Sequence, residues 1–119
     1  MTRVKDAVGR FGEDVAVRHL TGAGLRILDR NWRCAEGELD IVAEDGDTLV
    51  FCEVKTRSGS GFGDPSEAVT AAKSARIRRL SLRWLAAHGI GWHDLRFDVV
   101  TVVRRPGASP LVRHLRNAF

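Results

Sequence analysis

Apolar residues recur every three or four positions at the start of the chain. Val8, Phe11, Val15 and Leu20 fall near one side, and Gly22 and Gly24 close the run, so the spacing predicts a helix from about Val8 to Ala23. The period then drops to two. Leu25 to Arg33 (LRILDRNWR) reads as a strand and Ala35-Glu36-Gly37 as a turn. Glu38 to Glu44 is a second strand and Leu49 to Thr56 a third, joined through Asp45-Gly46, a strong hairpin signal. The glycine-rich stretch RSGSGFGD (57–64) predicts a loop and the most mobile element of the chain. Pro65 opens a helical region that reaches His88 with a break near Thr70, stops at Gly89, and carries Ile77, Leu80 and Trp84 as its apolar stripe. Leu95 to Val103 (LRFDVVTVV), rich in β-branched residues, is a last strand. Pro106, Gly107 and Pro110 then predict a poorly ordered basic tail over 105–119.

The order αβββαβ implies an α/β fold. Three strands joined by short turns form an antiparallel meander, and the fourth returns through a helix, so it should lie parallel to a neighbour. The simplest architecture is a single domain with its core over about 9–103: a mixed four-stranded sheet flanked by helices.

The hairpin breaks the usual division between apolar-in and charged-out. Residues two apart in a strand share a face, which groups Glu38 with Asp40 and Val42, and Leu49 and Phe51 with Glu53, Lys55 and Arg57. A two-residue turn at Asp45-Gly46 would pair Glu38 with Glu53. A four-residue loop from Asp45 to Thr48 would pair Asp40 with Glu53. Either register puts Glu38, Asp40, Glu53 and Lys55 on one face, whereas a three-residue loop would separate them unless a bulge restored the phase. Three carboxylates this close repel one another, and one ammonium cannot balance them. A divalent cation can, and hard oxygen ligands select Mg²⁺ or Mn²⁺ over zinc. Asp40 and Glu53 are then candidate ligands, and Lys55 is placed to orient the attacking water. The competing explanation is a surface hairpin whose charges form ordinary salt bridges.

Charge distribution sharpens this picture more than composition does. At 119 residues, 44% hydrophobic and 29% charged, the chain suits one domain, and its net charge of +4 is weak evidence for a polyanionic partner. Six acids (Glu36, Glu38, Asp40, Glu44, Asp45, Asp47) crowd one short stretch, while Lys73 to Arg83 holds five bases and no acid. Arg76, Arg79 and Arg83 recur at helical spacing and share a flank beside the apolar stripe. With Arg57, next to the charged strand, and Lys73, they are candidate phosphate contacts, although each could be a solvated charge. Nothing resembles a base-reading module, so recognition would be of shape or backbone. Cys34 and Cys52 have no zinc spacing, and His19, His88, His93 and His114 have none either. No apolar run approaches a membrane span, and MTRVKDAVGR lacks the apolar core of a signal peptide, so the cytoplasm is the expected compartment.

Asp40 followed by Glu53-Val54-Lys55 resembles the PD-(D/E)XK nuclease signature, with Leu39 in place of its nominal proline. Further stretches match one branch of that superfamily: Gly12-Glu13, Asn31-Trp32-Arg33, Gly37-Glu38-Leu39-Asp40, Phe51 to Arg57, Phe62-Gly63-Asp64-Pro65, Glu67-Ala68-Val69, Lys73 and Arg96 to Val100. Together, over roughly Gly9 to Val103, these are similar to the YraN-type family, uncharacterised proteins expected to be endonucleases and related in fold to archaeal Holliday-junction resolvases. The resemblance implies a restriction-endonuclease-like domain using Mg²⁺ or Mn²⁺, with Asp40 and Glu53 as ligands, the Val54 carbonyl as a third, and Lys55 positioning water. It also implies that Glu13 brings an extra acid from the first helix and that Glu38 stands in the shell around the ligands. The expected partner is DNA, branched or recombination intermediates included, bound by a monomer or homodimer. Family membership does not establish cleavage. A non-cleaving nucleic-acid-binding protein that keeps the fold is the alternative, and a structural protein with salt-bridged hairpin acids is a third.

Overall fold

The computed structural model describes residues 4–58, 69–91 and 94–119. The elements run α1 (Val4–Gly22), β1 (Arg26–Cys34), β2 (Gly37–Asp45), β3 (Thr48–Ser58), α2 (Ala71–Ala87), β4 (Asp94–Arg104) and β5 (Leu111–Leu115). The sheet is mixed, in the order β1-β2-β3-β4-β5. β3 and β4 pair in parallel from Thr48↔Asp94 to Ser58↔Arg104, as a strand returning through a helix must, and the other neighbours are antiparallel. Most of the glycine-rich loop, Pro65, Glu67-Ala68, Trp92 and His93 lie outside the described residues. The expected helix break at Thr70 is α2's N-cap: the Thr70 hydroxyl accepts the Lys73 N–H at 3.1 Å.

Alternation along β3 builds two cores. Val50 and Cys52 face α1 and pack with Val15, Ala16, Leu20, Ile41, Ala43, Val100 and Val102. Leu49 and Phe51 face α2 and pack with Ile77, Leu80, Trp84, Val42 and Phe97. β3 is therefore buried on both sides, which is why charged residues toward its end are unusual.

The hairpin adopts the register in which Asp45 pairs with Thr48 and Ile41 with Cys52, around a turn with Gly46 at φ 60. Continued one step, this register brings Asp40 opposite Glu53, but the ladder ends at Ile41↔Cys52. Alternation breaks there. Leu39 packs into the α2 core, as Val42 does, while Ile41 packs into the α1 core. On the neighbouring strand Asn31 takes φ 53, between pairs Arg30↔Ile41 and Trp32↔Leu39. The expectation of four charged groups on one face therefore fails for Glu38, which turns to Arg33 at 2.9 Å.

The C-terminal segment corrects a second expectation. Rather than a loose tail, it supplies a fifth strand, antiparallel to β4 from Val99↔Leu115 to Val103↔Leu111. A fully buried acid, Asp98, holds it. Asp98 receives Arg96 Nε and Nη2, each at 3.0 Å, His114 Nε2 at 2.8 Å and the Asn117 N–H at 2.9 Å. Phe119 then packs on Phe97, with ring centroids 5.4 Å apart.

Candidate metal centre

Where β2 leaves β3, a cleft of about 480 Å³ opens. Val8, Gly9 and Glu13 line it from α1, Asp40 from β2, Glu53 to Thr56 from β3, and Lys73 from α2. The close approach of α1 depends on Gly12. A Cβ there would lie 2.8 Å from Thr56 Cβ and 2.9 Å from its Cγ2, with the hydroxyl nearer still. Glu13, the next residue, is thereby carried over the cleft. One of its oxygens accepts Asn31 Nδ2 at 2.7 Å, and Arg30 Nη2 stands 3.6 Å away.

Asp40 spans the fork. Its Oδ2 accepts the Val54 N–H at 2.9 Å, so a side chain takes over from the ladder where backbone pairing stops. Burial, reinforced by the neighbouring charges of Glu53 and Glu13 and a hydrogen bond with Glu53, pushes its pKa up to about 8 against the pull of the Val54 amide. Near neutrality these surroundings favour the protonated carboxyl. Glu53, 9% exposed, is ion-paired with Lys73. Lys55 is half-buried in the same cleft.

These are hard oxygen donors gathered around one space. Among the described residues, no group of three or more His, Cys, Asp and Glu side chains is arranged to hold a metal ion. Mg²⁺ does not require one: one or two carboxylates suffice, with water and substrate phosphate filling the shell.

The remaining candidates lie elsewhere. Glu38, paired with Arg33, does not line the cleft. Arg57 follows Lys55 by two residues on β3, half-buried and opposite Val103 of β4. Arg76 packs beside Gly37. Arg83 pairs with Glu36 at 2.9 Å, and Arg79 lines a shallow depression of about 340 Å³ beside them. That helix flank therefore faces the β1–β2 turn. A larger cavity of about 660 Å³ sits beside the β2–β3 turn, among Arg78, Leu82, Arg96 and Phe97. Among the described residues its lining holds one carboxylate, Asp94, against three (Glu13, Asp40 and Glu53) in the smaller cleft. Sequence reasoning missed Asn31 as the anchor of Glu13, Gly12 as the spacer under it, and the Glu53–Lys73 pair. The Asn31-Trp32-Arg33 and Gly12-Glu13 stretches were the available signals for the first two.

A family model described as "Uncharacterised protein family UPF0102" matches residues 12–102. The chain is similar to the UPF0102 protein of Frankia casuarinae, 61% identical over 118 residues that cover 98% of this chain and 99% of that one. It is 62% identical to the UPF0102 protein of Frankia alni over 117 residues, 98% of each chain. A UPF0102 protein of Nocardia farcinica is 53% identical over 115 residues, 97% of this chain and 91% of its own.

Proposed function

The chain belongs to the uncharacterised protein family UPF0102, and we propose that it is a metal-dependent endonuclease hydrolysing DNA phosphodiester bonds, with branched or recombination intermediates among its substrates. The observation that carries this is the meeting of Asp40, Glu53 and Lys55 in one cleft, which α1 and α2 close with Glu13 and Lys73. Asp40 and Glu53 would hold Mg²⁺ or Mn²⁺, with the Val54 carbonyl and Glu13 as further oxygen donors. When bound, the ion supplies Lewis-acid polarisation of the phosphoryl oxygen.

The rest falls to the chain's own residues. The Lys55 ammonium donates a hydrogen bond to the attacking water and so turns a lone pair toward phosphorus. An ionised carboxylate of the same cleft accepts the water's proton as the new P–O bond forms and the bond to the leaving sugar oxygen breaks, and that oxygen takes a proton from solvent water. Arg57 and the α2 bases Lys73, Arg76, Arg79 and Arg83 hold the phosphate backbone without reading bases. The protein acts in the cytoplasm as a monomer or homodimer. Among the described residues no helix is long and apolar enough to cross a membrane.

Purified protein with Mg²⁺ or Mn²⁺ on linear, single-stranded, flapped and four-way DNA tests this directly. Lys55→Ala should retain DNA nearly as well as wild type while cleavage falls by roughly two to four orders of magnitude, the scale of a lost acid–base or water-orienting group. Asp40→Asn weakens the ion site itself, so raised Mn²⁺ should restore part of its activity. Wild-type protein inert on every form would favour a second reading, a non-cleaving nucleic-acid-binding protein. The Glu53–Lys73 pair supports that reading, because it already neutralises one ligand without any metal.

A further inference from the structure

Lys73 stands where helix physics disfavours it. It lies in the first turn of α2, at the positive end of the helix dipole, and no acid accompanies it there. Thr70 fixes the backbone at that turn by accepting the Lys73 N–H. The side chain then reaches into the cleft and pairs with Glu53, whose side chain is only 10% exposed. This ammonium therefore occupies the charge-balancing role, on the very carboxylate, that a divalent ion would take.

We propose that Lys73 is a tethered counter-cation that competes with the metal for Glu53, so that the ion loads fully only when a nucleic-acid phosphate draws the ammonium away. The inference rests on the metal-site reading above and deepens it. Glu53 cannot give the same oxygen to both cations without placing like charges in contact. An ammonium released from Glu53 remains in the cleft, tethered to α2, where a phosphodiester lying over Asp40 and Lys55 offers it an anionic oxygen. Metal and nucleic acid then bind with positive coupling, each tightening the other by the same factor. Free protein would hold its ion weakly, which limits cleavage chemistry to the loaded complex.

The test is a four-way comparison of Mn²⁺ affinity by calorimetry or by the free-ion paramagnetic resonance signal. Proteins carrying Lys55→Ala, with and without Lys73→Met, are titrated in the presence and absence of a DNA duplex, so that turnover does not interfere. With Lys73 present, DNA should tighten Mn²⁺ by roughly 5–150-fold, the usual scale of site coupling. Lys73→Met should tighten Mn²⁺ in the absence of DNA and shrink the DNA-induced factor correspondingly. A general electrostatic effect of removing a cation would tighten Mn²⁺ but leave the DNA-induced factor unchanged, and that result overturns the proposal. So does an affinity for Mn²⁺ that Lys73→Met leaves equal or weaker. If neither protein binds Mn²⁺ in any condition, the metal-site reading falls and takes the proposal with it. Lys73→Gln, which can still hydrogen-bond Glu53 without charge, serves if Lys73→Met does not fold, and the rise in melting temperature on adding Mn²⁺ should then exceed that of the Lys73-containing protein.

Discussion

Asp40 holds a proton because burial and two neighbouring carboxylates make its ionised form costly, and that gives the free protein a pH signature. The ordinary aspartate value is near 4, and in the fold it is about 8. Between those values the folded chain binds a proton that the unfolded chain has released, so stability falls as pH rises through the window. At about 1.4 kcal/mol per unit, the loss reaches several kcal/mol. His19, whose pKa burial and then His114 lower, works the other way below its ordinary value of 6.5. The informative quantity is therefore the difference between wild type and Asp40→Asn, measured by urea unfolding with chelator present. That difference should shift in favour of Asn as pH rises from about 5 to about 8, and saturating Mn²⁺ should reduce the slope in wild type. A constant difference would mean that Asp40 is already ionised in the fold. At this scale much was legible in the sequence. Asp40, Glu53 and Lys55 stand out because charged residues at period two on a predicted buried hairpin need a reason. The Lys73–Glu53 pair was not legible, since it depends on where α2 begins and how it lies against the sheet. Glu13 was marked by resemblance alone, because on a helix an acid at that spacing looks solvated.

Between elements, the decisive contact is α1 against β3. Periodicity predicted α1 and its apolar side, but a pattern of apolar positions does not say how near a helix lies to its sheet. Gly12 does, once Thr56 is seen beneath it. Gly12→Ala should gain about 1 kcal/mol in helix propensity and lose roughly 1–3 kcal/mol to overpacking. Contact distances of 2.8 Å to Thr56 Cβ, which is bonded directly to the backbone, and 2.9 Å to Cγ2, one bond further out, put the balance on the losing side. The melting temperature should drop, and Mn²⁺ affinity should weaken with it, because a helix forced outward carries Glu13 away from Asp40. A variant as stable as wild type with undiminished affinity would show that the gap closes without consequence for the cleft. The hairpin register was legible only as two alternatives, because Asp45-Gly46-Asp47-Thr48 admits more than one turn. The phase break at Asp40 was beyond reach, since it lies across from Asn31 on the neighbouring strand, whose left-handed conformation no local pattern announces.

Across the whole molecule, the C-terminal segment shows how a buried charge can order what composition marks as loose. Pro106, Gly107 and Pro110 with three arginines read as a tail because nothing in the segment alone balances its charges. The balance comes from Asp98, fully buried on β4 and bonded by His114, and from Asp45 at the β2–β3 turn, 3.7 Å from Arg116. Burial raises the Asp98 pKa, but His114, Arg96 and the Asn117 amide outweigh it and hold the carboxyl below its ordinary value. A depressed carboxyl contributes stability that is present above its unfolded pKa, near 4, and is lost as pH falls through the folded one. His114→Ala removes a hydrogen bond to a charged group and should cost roughly 1.5–3 kcal/mol at neutral pH. Acid unfolding should then begin at higher pH than in wild type, because less of the depression remains. A chain ending at Arg105 loses more: the His114 and Asn117 bonds, the β5 ladder over Val99–Val103, and Phe119 on Phe97. Its denaturant midpoint should fall below that of His114→Ala, with β4 left as an unpaired edge prone to self-association. Were the segment the loose tail that its composition suggests, both variants would unfold with wild-type midpoints at every pH, and Asp98 would have to find its counter-charge in Arg96 alone.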